Sequence, residues 1–150
     1  MPPDPAPPPP PVTAWEHTYP GTLDQARALR ATLGSLLADC PLAADVILLA
    51  SELAANAILH SASGRPGGTF TVRFTHRHGD HVRTEVHDQG SGWDGDLTPS
   101  ARDWQGLHLL QALSTRCGVR SGASDRAVWF RIDYPPPTGP PPSRGRGTKT

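Results

Sequence analysis

Residues 45–59 read DVILLASELAANAIL, and their polar side chains do not scatter. At about 100° per residue, Asp45, Glu52 and Asn56 fall within roughly 40° of one another on an otherwise apolar helix. Such a helix belongs in a core, so a carboxylate and a carboxamide one turn apart must face something polar inside the fold. Glu52 offers a base for the proton of a hydroxyl, and Asn56 offers a carbonyl oxygen that suits a hard cation such as Mg²⁺. Thirty-two residues after Asn56 comes Asp88-Gln89-Gly90-Ser91-Gly92, an acid at a strand end followed by two glycines in loop spacing. An aspartate held by a strand can accept a hydrogen bond from an exocyclic amine, while Gly90 and Gly92 let the backbone approach a ligand without a Cβ. Together these residues point to a nucleotide site. Each half has a plainer reading: Glu52 and Asn56 paired with a core arginine, and Asp88-x-Gly-x-Gly as an ordinary loop.

The elements that must hold these residues follow from periodicity. Trp15 to Tyr19 reads as a short strand ended by Pro20-Gly21, and Thr22-Leu23-Asp24-Gln25 fits a capping box. Leu23, Ala26, Leu29, Leu33, Leu36 and Leu37 then predict a first helix to about Ala38. Pro41 falls where a first-turn proline is tolerated, and the apolar helix follows to about Ser61, broken by Gly64 to Gly68. Phe70, Val72 and Phe74, then Val82, Thr84 and Val86, alternate with polar residues around His78-Gly79-Asp80, which predicts a hairpin that carries Asp88 at its end. Gly90 to Asp103 is a long loop flanked by Trp93 and Trp104, which suit a lid, a partner surface or ordinary packing. Gly106 to Thr115 reads as a third helix that aims free amides at an anion. Gly118 to Gly122 and Arg126 to Asp133 read as closing strands. Helices grouped against a largely antiparallel sheet make an α+β two-layer sandwich, with a mixed, mostly antiparallel sheet and about three helices on one face.

Composition sets the limits around this unit. Fourteen of the 18 prolines lie in residues 1–11 and 135–142, so the expected organisation is a disordered proline-rich tail over 1–11, a folded domain over 12–134 and a disordered, basic proline-rich tail over 135–150. Between the tails, 11 basic residues face 13 acidic ones, which offers no electrostatic footprint for nucleic acid. Cys40 and Cys117 form no CxxC pair, so neither a disulfide framework nor a zinc cluster is implied. No apolar run reaches about 18 residues and no signal core opens the chain, so a cytoplasmic protein without a membrane span is expected. His76, His78, His81 and His87 cluster on the hairpin with a spacing that would permit a metal, against the usual expectation that hairpin histidines are solvated. His60 is expected to pack or hydrogen-bond at its helix end.

Four segments, in order, resemble the ATP-binding fold shared by histidine kinases, the Hsp90 chaperone, gyrase and the MutL repair protein. Within it they resemble the small bacterial anti-sigma factor serine/threonine kinases. Glu52-Leu53-Ala54-Ala55-Asn56-Ala57 with His60 resembles the N-box, Asp88-Gln89-Gly90-Ser91-Gly92 the first glycine box, Gly106-Leu107 the second, and Val128-Trp129-Phe130 the terminal strand. The resemblance implies a Bergerat-type domain that binds ATP with Mg²⁺. Asp88 would read adenine, Asn56 would hold Mg²⁺, and Gly90, Gly92, Gly106, Leu107 and Arg102 would surround the nucleotide. Glu52 would act as catalytic base. The partners implied are a sigma factor, held inactive, and a STAS-type anti-anti-sigma antagonist that is phosphorylated on serine, with a homodimer possible. The chain departs from the family pattern twice: Trp104 stands where the second box usually has its first glycine, and Ala127 follows Arg126 where the family often has a threonine. Both departures touch phosphate handling, so the alternative is a nucleotide-binding partner-switching scaffold with weak or no phosphotransfer. A stand-alone ATPase would need transducer domains for which 150 residues leave no room.

Overall fold

The structure, a computed structural model, describes residues 1–90, 105–122 and 125–136. Its elements in chain order are β1 (Val12–Pro20), α1 (Leu23–Leu36), α2 (Ala43–His60), a single 3₁₀ turn (Ala62–Gly64), β2 (Thr69–Arg77), β3 (His81–Asp88), α3 (Gln105–Leu113), β4 (Arg116–Ser121) and β5 (Arg126–Asp133). The strands form one sheet in the order β1-β2-β3-β5-β4, antiparallel at every pairing. The fold is thus α+β with helices on one face, as expected, but among the described residues no parallel pair makes the sheet mixed.

Alternation decides which side of the sheet is which. Phe70, Val72 and Phe74 of β2, Val82, Thr84 and Val86 of β3, and Val128, Phe130 and Ile132 of β5 all face the helices and are buried. Against them pack Leu29 and Leu33 of α1, Val46, Leu49, Ala50 and Leu53 of α2, and Leu110 of α3. α2 is central: it lies on β3 and β2 with α1 and α3 beside it. It has the length and mean hydropathy, 1.4 over 18 residues, of a membrane-crossing helix. An apolar stretch of 18 residues thus does exist, against the expectation that none reaches that length; Asp45 and Glu52 interrupt it and its apolar side forms the core.

Several boundaries differ from the sequence expectation, each for a local reason. β1 begins at Val12 rather than Trp15, because its ladder to β2 runs unbroken from Val12↔Arg77 to Pro20↔Thr69. α1 stops at Leu36. The capping box is not formed: Thr22 is the N-cap, but its side chain accepts from no backbone amide, and Gln25 turns its amide nitrogen to Asp24 (3.2 Å). α2 starts at Ala43 with Leu42 as N-cap, which leaves Pro41 outside the first turn, in a turn where Ala43 N donates to Cys40 O (3.1 Å). β4 starts two residues early, at Arg116.

The hairpin histidines divide between the two sheet faces. His81 and His87 lie on the face away from the helices, but His76 follows Phe74 on the inner face and is 2% exposed, contrary to the expectation of solvated histidines. Its Nε2 lies 2.7 Å from the Tyr134 hydroxyl, its ring stacks on His78 at 3.8 Å between centroids, and its Nδ1 has no partner. Among the described residues no group of three or more His, Cys, Asp or Glu is arranged to hold a metal ion. Burial, then the neighbouring charges of His78 and His81, pull the His76 pKa below its ordinary 6.5. The unfolded chain therefore takes up a proton more readily than the folded protein as pH falls through about 6.5, so stability falls as pH drops through that value. Urea unfolding at pH 7.5 and 5.5 should show the drop in the native chain and a smaller one in His76→Phe; equal drops in both would remove His76 as its source.

Candidate functional site

Asp88 closes β3, 4% exposed, on the inner face in line with Val82, Thr84 and Val86. Two residues on, Gly90 takes a left-handed backbone (φ +74°), which turns its amide back onto Asp88 Oδ1 at 2.7 Å. The loop exit is fastened at two points to the 3₁₀ turn that follows α2. Ala62 N donates to Gly90 O (2.9 Å), and Gln89 N donates to Ser63 Oγ (3.0 Å). A third bond, Thr69 N to Gln89 Oε1 (3.1 Å), ties in the start of β2. The last turns of α2 and the end of β3 are therefore one rigid corner.

Asn56 lies in the last turns of α2, 6% exposed, and Glu52 sits one turn earlier, half-buried. Neither has a hydrogen bond or ion pair to another described residue, so the arginine pairing that would have made them ordinary core polar groups is not found. Asn56 is not among the residues whose side-chain polar atoms are fully enclosed without a partner, so its small exposed area leaves the carboxamide open to a ligand. Its oxygen fits a hard cation, and a carboxylate one turn away on the same helix fits a base. Asp45 shares the stripe but lies at the other end of α2. His60 ends the helix exposed and makes no hydrogen bond to another described residue, against the expectation that it packs or bonds there.

The core arginine does exist, but it meets Asp88. Arg126 is the first residue of β5, directly opposite Asp88 in the ladder, and its Nε and Nη2 both lie 3.3 Å from Asp88 Oδ2. The pair is almost fully enclosed, with side-chain exposures of 6% and 3%. Both oxygens of the strand-end carboxylate are thus engaged, one by Gly90 and one by Arg126. Sequence reasoning missed this partner, although Arg126, Val128, Phe130 and Ile132 alternate onto one face and an arginine in an apolar row calls for an acid. Ser63, fully buried, was missed too, since no pattern marks it. Ala127, noted as a lost hydroxyl, is opposite His87 on the other face, so it is Arg126 that confronts the site.

Gly106 and Leu107 fall in the first turn of α3, which begins one residue earlier than expected. Ser91, Gly92, Trp93, Arg102 and Trp104, and the loop that carries them, lie outside the described residues.

Comparison with known proteins gives the wider setting. The RsbU and RsbW domains of Rv1364c from Mycobacterium tuberculosis superpose with a TM-score of 0.62 at 23% identity, over 82% of this chain and 33% of that one. The chain thus spans about a third of that structure, and the likeness is one of fold. No curated protein sequence matches. With its two-layer fold, its polar stripe on α2 and its strand-end aspartate, the chain matches the sequence model of the histidine kinase-like ATPase domain over residues 19–132, and it belongs to that family.

Proposed function

We propose that this protein is an ATP-binding anti-sigma regulator of the serine/threonine kinase type, which sequesters a sigma factor and phosphorylates a STAS-type antagonist. The observation that carries the reading is the fastening of α2 to the exit of β3, which keeps the helix bearing Asn56 and Glu52 against the strand bearing Asp88. In this reading Asp88 accepts the exocyclic amine of adenine, with Gly90 and Gly92 letting the base approach. Asn56 is the residue that would hold Mg²⁺, which neutralises phosphate charge when bound. Gly106 and Leu107 at the start of α3, with Arg102, serve the phosphates. Glu52 takes the proton of the attacking serine hydroxyl. A cytoplasmic location and an optional homodimer belong to the same reading.

Calorimetric titration of Mg-ATP and Mg-ADP tests the nucleotide half; no heat with either would sink it. Phosphotransfer from labelled ATP to a purified antagonist tests the rest. Glu52→Gln should lower that rate by about 10²- to 10⁴-fold with Mg-ADP affinity retained, the split expected of a base. An unchanged rate would take Glu52 out of the chemistry.

The Arg126–Asp88 pair favours a second reading, a partner-switching scaffold that binds nucleotide weakly, because an adenine amine must share a carboxylate already engaged on both oxygens. If so, Arg126→Thr tightens Mg-ADP binding without creating phosphotransfer.

A further inference from the structure

The sheet face opposite the helices carries an unexpected distribution of charge. Six arginines, Arg73, Arg77, Arg83, Arg116, Arg120 and Arg131, occupy its strands against three carboxylates, Glu16, Glu85 and Asp133. More than half of the 11 basic residues between the tails therefore sit on one surface of a domain whose formal charge is slightly negative. Three of them form a row across adjacent strands: Arg83 is opposite Arg131, and Arg131 is opposite Arg116. Like charges directly opposed on a sheet repel. Glu85 compensates at one end of the row. It is 5% exposed under Arg83, Arg120 and His87, and although burial pushes its pKa up, the hydrogen bond and charge of Arg83 with the charges of Arg120 and His87 hold it below the usual value. Arg131 has Asp133 at 2.6 Å. Exposed Arg116, at the other end, has no ion pair with any described residue.

Beside this row lies an aromatic shelf. Arg83 stacks over the Trp129 indole at 4.9 Å, and the next strand offers Gly118, where a Cβ would come within 2.9 Å of the indole nitrogen. The missing side chain lets a half-buried tryptophan lie flat across two strands. Among the described residues no element covers this face.

We infer that this face docks an acidic helix of a partner protein. Neighbouring strands are about 4.8 Å apart, so Arg83, Arg131 and Arg116 present guanidinium groups at roughly 5 Å intervals. Carboxylates at i, i+4 and i+7 of a helix repeat at roughly 5–6 Å, and a helix laid across the strands places one against each arginine. Trp129 supplies the apolar anchor, and arginine with tryptophan is the pairing that dominates binding energy at protein interfaces. The overall negative balance of the domain weighs against a long polyanion such as duplex DNA. The inference is independent of the nucleotide reading, since every residue in it lies on the opposite side of the sheet from Asp88 and Asn56.

The probe is a fluorescently labelled alanine-rich helical peptide with glutamates at i, i+4 and i+7, compared with its glutamine counterpart and with duplex DNA. The glutamate peptide should bind the full chain in a salt-sensitive manner, and both the glutamine peptide and Arg116→Glu should weaken binding by about tenfold. Arg116→Gln, checked by circular dichroism, separates loss of charge from any misfolding and should fall between the two. Equal binding of the two peptides, or an unchanged Arg116→Glu, overturns the inference. So does tighter binding of DNA than of peptide, or sedimentation showing that wild type is a dimer which Arg116→Glu dissociates.

Discussion

Asp88→Ala is expected to abolish Mg-ADP binding and to cost up to about 3–5 kcal/mol of folding stability, because it removes the carboxylate that faces the enclosed Arg126 guanidinium. The two losses have different causes. Binding fails because the acceptor proposed for the adenine amine is gone. Stability falls because the Arg126 side chain is 6% exposed and loses the carboxylate directly opposite it. The 3.3 Å separations are long for a charge-assisted bond, which places the expected cost toward the lower end of the range. Asp88→Ala combined with Arg126→Leu should recover most of the stability and none of the binding, since removing both members of a buried pair is far cheaper than removing one. Urea unfolding of the three variants reads one effect and calorimetry the other. A single variant with less than about 1 kcal/mol of destabilisation would mean that the pair is solvated in solution.

What the sequence discloses here depends on how local the information is. Strand alternation is a period-two signal within five or six residues, so β2, β3 and β5 were legible and β5 was placed to the residue. The polar stripe of α2 was equally local, and Glu52 and Asn56 are found one turn apart near its end. Which strand lies beside which is not local. The insertion of β5 between β3 and β4 is a tertiary outcome, and it alone brings Arg126 to Asp88, so a reading by residue type found the acid and missed its partner. The same holds for His76: alternation with Phe74 marks it as inward, but only the meeting of β2 with Cys40 and Tyr134 provides the enclosure. Net charge hid the arginine row for a related reason. A sum over the chain cannot show that six like charges share one side of a sheet.

Gly64→Ala and Gly34→Ala are expected to act in opposite directions, although both exchange a glycine for the best helix former. A Cβ on Gly64 would stand 1.8 Å from Ile58 O and 2.8 Å from Ile58 C, main-chain atoms in the last turns of α2 that cannot swing away as a side chain can. The 3₁₀ turn must move off the helix, at a cost of about 3 kcal/mol or more. It is the same turn whose Ala62 amide and Ser63 hydroxyl fasten Gly90 and Gln89, so its displacement also loosens the exit on which Asp88 is set. Mg-ADP affinity should therefore fall together with stability, even though residue 64 touches no proposed ligand. Gly34, exposed within α1 with nothing inside 4 Å of a Cβ, has only the backbone entropy of glycine to lose, and alanine there should stabilise by about 0.5–1 kcal/mol with binding unchanged. Thermal unfolding and calorimetry on the two variants separate the cases. A Gly64→Ala protein as stable as wild type would show that the corner joining α2 to β3 is looser than the backbone contacts require, and a destabilised protein with full affinity would show that the turn does not position Asp88.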